Sequence, residues 1–188
     1  MVQVKIVLVG EAGVGKTCIC ERLISDSYSM QTAPTIGAAN YSFTMKTDKQ
    51  TLEFNIWDTA GQEKYRSLAP MYFAGAQVAI LVFDLTQPHT LQGLDDFFEL
   101  LRSRAPDCIH CLVGNKCDKP NERQVSDEEA LAYAGKIGAI FYMETSAVTG
   151  QGIKDLFEQI ANSNSIPIHE DELDFVQTDS TPAKKGCC

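Results

Sequence analysis

Eight residues near the start of the chain, Gly10-Glu11-Ala12-Gly13-Val14-Gly15-Lys16-Thr17, satisfy the pattern G-x-x-x-x-G-K-[S/T]. Glycines let such a loop wrap until consecutive backbone N–H groups point inward at phosphate oxygens, and a following helix adds its positive end. Lys16 can neutralise β and γ phosphates, and the Thr17 hydroxyl can ligate Mg²⁺. The alternative is a plain Gly-rich turn. The apolar run Val4–Val9 before the loop and the helical pattern after it supply the strand–loop–helix setting that phosphate binding requires. The expected chemistry is binding of a nucleoside triphosphate.

A second group, Asn115-Lys116-Cys117-Asp118, follows a short apolar run that ends at Gly114. A carboxylate at Asp118 can accept two parallel hydrogen bonds from guanine N1–H and its exocyclic amine. Adenine offers no donor at either position, so the carboxylate would be left unpaired, at a large cost in affinity. Alone, N-K-x-D is a weak signal, with a solvated turn as the alternative. Behind a phosphate loop and at the end of a later strand, it points to guanine.

Both groups need elements to hold them. Leu52, Phe54 and Ile56 alternate with polar residues as a period-2 strand, Ala39–Thr47 is a β-prone partner, and Thr47–Gln50 can turn between them. Val78–Phe83, Cys111–Val113 and Ala139–Met143 read as buried strands. Leu91, Leu94, Phe98 and Leu101 fall on one helical face, as do Ile153, Leu156, Phe157 and Ile160. Ser126 with Glu129 forms a capping box opening a helix that Gly138 can close. Strands alternating with helices predict an α/β fold: a mostly parallel sheet covered by helices on both faces. No internal repeat is visible. A first unit of residues 1–164 is followed by a tail, 165–188, without periodicity and with five acids against two lysines.

Composition narrows the function classes. The chain has 188 residues, room for one domain with a tail, and 16 Lys+Arg against 25 Asp+Glu give −9. That balance argues against broad nucleic-acid binding through phosphate neutralisation. The longest apolar run, Val78–Phe83, is far short of the ~20 residues of a membrane span. The opening MVQVKIVLVG is not expected to act as a secretory signal, and Val2 does not fit N-myristoylation. Of seven cysteines, Cys18, Cys20, Cys108, Cys111 and Cys117 lack the spacing of a disulfide framework, so free thiols in a reducing compartment are expected. Cys108 and Cys111 superficially form C-x-x-C, but positions three apart on a strand point to opposite faces.

Taken in order, the phosphate loop, Thr35, Trp57-Asp58-Thr59-Ala60-Gly61-Gln62-Glu63, Asn115–Asp118 and Glu144-Thr145-Ser146-Ala147 resemble the five guanine-nucleotide motifs of small GTPases of the Ras superfamily. The resemblance spans about residues 3–161. Within it the chain is most similar to the Rab branch, through Ile36-Gly37-Ala38-Ala39, Lys64-Tyr65-Arg66-Ser67, Tyr72-Phe73-Ala74-Gly75-Ala76, Leu81–Thr86 and the terminal Cys187-Cys188. The Ile36–Ala39 run is similar to that of early-endosomal members.

This resemblance implies a small G-domain with a six-stranded sheet, one strand antiparallel, binding GTP or GDP with Mg²⁺ and hydrolysing GTP slowly as a switch in vesicle traffic. It implies nucleotide contacts from Gly13, Val14, Gly15, Lys16, Thr17 and Cys18, with Tyr28 and Lys116 on the faces of the base. Asn115 would tie the base loop to the phosphate loop, and Asp118 would read the guanine edge. The N–H of Ala147, oriented by Ser146, would meet guanine O6. Thr17, Thr35 and Asp58 would hold Mg²⁺, the N–H of Gly61 would meet the γ phosphate, and Gln62 would orient the attacking water, with Lys16 and Thr35 completing the catalytic set. Cys187 and Cys188 would carry two geranylgeranyl groups and hold the protein on the cytoplasmic face of intracellular membranes, where one lipid alone gives only marginal binding. Implied partners are an exchange factor, a GTPase-activating protein, a GDP-dissociation inhibitor, an escort protein, and effectors reading residues 35–45 and 57–73.

Four residues depart from the family pattern. Asn40 stands where an effector-reading Phe is usual, beside the retained Trp57 and Tyr72; Phe73-Ala74 replaces Tyr-Arg; and Ala12 places a methyl next to the γ phosphate. Two other classes of function compete with the switch. A phosphotransferase would need an Arg-rich lid, whereas the arginines Arg22, Arg66, Arg102, Arg104 and Arg123 form no cluster in sequence. A nucleotide-locked scaffold would not need Thr35, Asp58 and Gln62 together.

Overall fold

The computed structural model describes residues 1–29, 33–61 and 69–167. Gln62, Cys187 and Cys188 lie outside these residues. Among the described residues a six-stranded sheet runs in the order β2-β3-β1-β4-β5-β6, from β1 (Val2–Val9), β2 (Ala38–Lys46), β3 (Thr51–Thr59), β4 (Val78–Asp84), β5 (Ile109–Asn115) and β6 (Phe141–Thr145). β2 pairs antiparallel with β3, and every other pairing is parallel. The expected α/β architecture, with one antiparallel strand, is the one observed. The Thr47–Gln50 turn closes the β2–β3 hairpin through the Thr47 N–H to the Gln50 carbonyl, 2.9 Å.

The pleat divides the core in two. Val4, Ile6 and Leu8 of β1 and Val78, Ile80 and Val82 of β4 face one layer. There they meet Ile19 and Cys20 of α1 (Lys16–Ser25) and Leu156, Phe157 and Ile160 of α6 (Ile153–Asn162). Val7, Val9, Ala79, Leu81 and Phe83 face the other layer. They pack against Phe73 of α2 (Ala69–Phe73), Leu91 of α3 (Pro88–Gln92), Leu94 and Leu101 of α4 (Leu94–Arg104) and Ala130 of α5 (Asp127–Lys136). Burying both faces is what a parallel sheet requires. Cys108 and Cys111 fall in opposite layers, and all five cysteines of the described residues are free thiols.

Some local expectations are corrected. The face expected over Leu91–Leu101 is interrupted at Gly93, which separates α3 from α4 and where a Cβ would lie 2.0 Å from Oε1 of the phosphate-loop residue Glu11. Phe97, not Phe98, then fills the core, while half-buried Phe98 sits edge-on to His110 at 5.1 Å. β6 starts later than Ala139 and continues to Thr145. The capping box at Ser126 is present. Gly138 follows α5 at φ +63° with a Schellman pair, its N–H to Gly135 and that of Ala139 to Ala134. Ile166 is buried against the α1–α6 layer, and Gln77 Nε2 donates to the Pro167 carbonyl at 2.6 Å. No helix among the described residues is long and apolar enough to cross a membrane.

Candidate functional site

β1, β3, β4, β5 and β6 all end at one edge of the sheet, where open α/β folds form their crevice. A cleft of about 460 Å³ lies there, lined by Gly13, Gly15, Lys16, Thr17, Cys18, Tyr28, Thr35, Gly61, Asn115, Lys116, Asp118 and Ala147 among others. Twelve residues singled out from sequence are thus brought together from six loops and helix starts. Val14, Asp58 and Ser146 stand immediately behind, with side chains fully buried. Val14 packs in the core, leaving its backbone to the loop.

The phosphate loop closes tightly because glycine permits it. Gly15 has φ +102°, and a Cβ there would fall 2.3 Å from Asn115 Nδ2. Gly61 approaches the same loop from β3, where a Cβ would lie 2.3 Å from the Glu11 carbonyl carbon. Lys16 opens α1 and is 5% exposed; its ammonium donates to the Gly10 and Glu11 carbonyls, both at 2.9 Å. Desolvation pulls the Lys16 pKa down to about 8, opposed by the charge of Asp58. A buried ammonium whose hydrogen bonds among the described residues go to neutral carbonyls is suited to an arriving anion.

Beside it, three oxygen donors meet. Thr17 Oγ1 donates to Asp58 Oδ2 at 2.6 Å, Thr35 Oγ1 donates to the same oxygen at 3.2 Å, and the hydroxyls are 2.9 Å apart. Asp58 Oδ1 is buried without a hydrogen-bond partner among the described residues. Burial raises the Asp58 pKa, and the hydrogen bond from Thr17 and the charge of Lys16 oppose it. An oxygen-only set with an unsatisfied buried carboxylate oxygen fits a hard divalent cation such as Mg²⁺.

At the other end, Asn115 Nδ2 donates to the Val14 carbonyl at 2.8 Å while its Oδ1 accepts from Thr145 Oγ1 at 3.1 Å. Ser146 Oγ donates to Asp118 Oδ1 at 2.6 Å and accepts from the Thr149 N–H at 3.1 Å, so both loops fix the carboxylate's orientation. Lys116, at φ +70°, pairs its ammonium with Asp84 Oδ2 at 2.6 Å. Tyr28, 39% exposed, flanks the cleft.

Arg22 escaped the sequence reading as a site residue. From α1, its Nε donates to the Ala147 carbonyl at 2.8 Å and its Nη2 to that of Val148, bracing the loop after β6. Asp84 and Lys119 were likewise missed; Lys119 follows the Asn115–Asp118 run directly and lines the cleft.

Outside the cleft, the Trp57 and Tyr72 rings pack at a tilt with centroids 5.8 Å apart, and the Lys5 ammonium lies 5.2 Å from the Trp57 ring. Asn40 is exposed and directly opposite Trp57 in the β2–β3 ladder, so the polar departure sits beside the aromatic pair.

Residues 5–165 match the Ras family. The chain is 42% identical over 161 residues to Ras-related protein RABF2a of Arabidopsis thaliana, covering 85% of this chain and 80% of that one. It is 42% identical over 158 residues to Ras-related protein Rab5 of Nicotiana tabacum, covering 84% and 78%. With Ras-related protein Rab-22A of Mus musculus it shares 40% over 185 residues, 98% of this chain and 89% of the other.

Proposed function

The chain belongs to the Ras family as a Rab-type small GTPase, a guanine-nucleotide-binding protein of vesicle transport, and from that premise we propose a switch that cycles between a GTP-bound active state and a GDP-bound inactive one. The observation that carries this reading is the meeting of Thr35 with Thr17 and Asp58 beside Lys16. Thr35 comes from the segment after α1, and a loop whose Thr35 hydroxyl is held at the phosphate end is one that loss of the γ phosphate can release.

Binding uses both ends of the cleft. The backbone N–H groups of Gly13 to Cys18 and the Lys16 ammonium take the phosphates, and Tyr28 and the Lys116 stem cover the base. Asp118 accepts from guanine N1–H and the exocyclic amine, and the Ala147 N–H donates to O6. The hydroxyls of Thr17 and Thr35, with Asp58, hold Mg²⁺, which when bound offsets charge on the β and γ phosphates. Gln62 orients the water for in-line attack, and the Gly61 N–H and Lys16 stabilise charge that develops on the transferred phosphoryl group. No arginine among the described residues lines the cleft. Intrinsic hydrolysis is therefore slow and left to a GTPase-activating partner to accelerate.

Effectors read residues 35–45 and 57–73, where Asn40 beside Trp57 and Tyr72 restricts which partners fit. An exchange factor, a GDP-dissociation inhibitor and an escort protein complete the cycle, and two prenyl groups on Cys187 and Cys188 attach the protein to the cytoplasmic face of endosomal membranes. Affinity for GTP against ATP, followed by single-turnover phosphate release, tests the reading. Tight, guanine-selective binding with slow release of phosphate is expected; equal affinity for ATP, or no hydrolysis, would contradict it.

A further inference from the structure

Asp84 ends β4 in a setting that the guanine-nucleotide motifs do not explain. Its side chain is 1% exposed, and its Oδ1 accepts from both the Thr86 N–H at 2.8 Å and the Thr86 hydroxyl at 2.7 Å. Its own N–H donates to Thr90 Oγ1 at 2.9 Å, so the residue is held from three sides. No hydroxyl or amide among the described residues reaches Oδ2; the Lys116 ammonium does, at 2.6 Å. Lys116 is 30% exposed and sits at φ +70°, a left-handed backbone that a non-glycine residue adopts only when its surroundings hold it.

We propose that Asp84 is a positioning residue for nucleotide retention: its ion pair fixes the Lys116 side chain across the face of the guanine base and holds the base loop in its left-handed turn. This rests on the reading of Lys116 as a base-covering residue. A buried carboxylate with one oxygen fully occupied is a rigid anchor, and the lysine stem between that anchor and the backbone becomes a fixed bar. Without the anchor the stem samples its rotamers, and ordering it again on binding is unfavourable. Removing one partner of a buried pair is strongly destabilising, and the exposure of Lys116 reduces the effect to about tenfold in nucleotide release.

Two substitutions approach the pair from opposite sides. Asp84→Asn keeps an acceptor for Thr86 and turns an amide donor toward the ammonium. Lys116→Met keeps a straight apolar stem and removes the ammonium. Release of methylanthraniloyl-GDP from the full chain, in excess Mg²⁺ and chased with unlabelled GDP, is measured for the wild type, each single variant and the double variant. Each single variant should release about tenfold faster, and the double variant no more than about twofold faster than either single one. The acceleration caused by chelating Mg²⁺ should keep its wild-type ratio in all of them, which a general loosening of the cleft would not preserve.

Wild-type release from either single variant would overturn the proposal, as would multiplying effects in the double variant. Should Asp84→Asn fail to fold, Lys116→Met decides: release at the wild-type rate overturns the proposal, and faster release with an unchanged chelation ratio supports it. A wild-type chain that retains no guanine nucleotide overturns the site reading along with this proposal, whereas tight retention with an inert Asp84→Asn overturns the proposal alone.

Discussion

The Asn115 amide donates to the Val14 carbonyl across 2.8 Å, so the last residue of β5 is bonded into the loop that leaves β1. Its other atom accepts from Thr145, the last residue of β6. One side chain, 2% exposed, therefore joins the phosphate loop to both loops expected to read the base.

Asn115→Ala should leave the Val14 carbonyl and the Thr145 hydroxyl buried without partners. Each such group costs about 1–3 kcal/mol, so unfolding free energy should fall by about 2–4 kcal/mol, with faster release of GDP. Denaturant unfolding and GDP dissociation check this; lost stability with unchanged release would make the contact purely architectural.

Burial pushes the Cys108 thiol up to about 12. Because the folded-state value is raised, the unfolded chain loses this proton first, and the stability contribution present below pH 9 is lost as pH rises toward 12. The wild type should lose about 1.4 kcal/mol per pH unit relative to Cys108→Ala between pH 9 and 11. Parallel stability curves for the two proteins in that range would contradict the burial argument.

The strands and the glycine-lysine loop were legible because their signals are local: period-2 alternation, a capping box, and a motif whose main chain wraps its own ligand site. Gly93 misled because the helix face over Leu91–Leu101 looks continuous, while the helix breaks at a glycine that packs against Glu11 of a distant loop. The roles of Arg22 and Asp84 gave no signal because what they hold lies 125 and 32 positions away; Arg22 also spends its guanidinium on main-chain carbonyls, which leave no trace in residue type. Ile166, assigned to the tail from its polar neighbours, packs on the α1–α6 layer as a lone apolar residue without periodicity.

Replacing Cys187 and Cys188 by Ser should leave GTP affinity intact and move the protein from membranes to the soluble fraction, since two lipids are needed for stable anchoring. Fractionation of cells expressing the double variant checks this; persistent membrane association would require a different anchor.

Gln62→Leu should depress intrinsic single-turnover hydrolysis while leaving GTP affinity nearly unchanged, because Gln62 is assigned to the water and not to the ground-state nucleotide. The wild-type rate should be on the order of 10⁻⁴ to 10⁻² s⁻¹. Turnover above roughly 1 s⁻¹ without a partner would reveal a catalytic group other than those assigned.

The central claim is that this cleft selects guanine through Asp118, whose carboxylate is aimed by Ser146. Asp118→Asn keeps an acceptor for the Ser146 hydroxyl and presents an amide donor, which suits the C2 carbonyl of xanthine and opposes the guanine amine. Competition binding of GTP and xanthosine triphosphate to the wild type and to Asp118→Asn is the direct measurement. The account predicts that the wild type prefers GTP and the variant prefers xanthosine triphosphate. An unchanged preference for GTP in Asp118→Asn would contradict it.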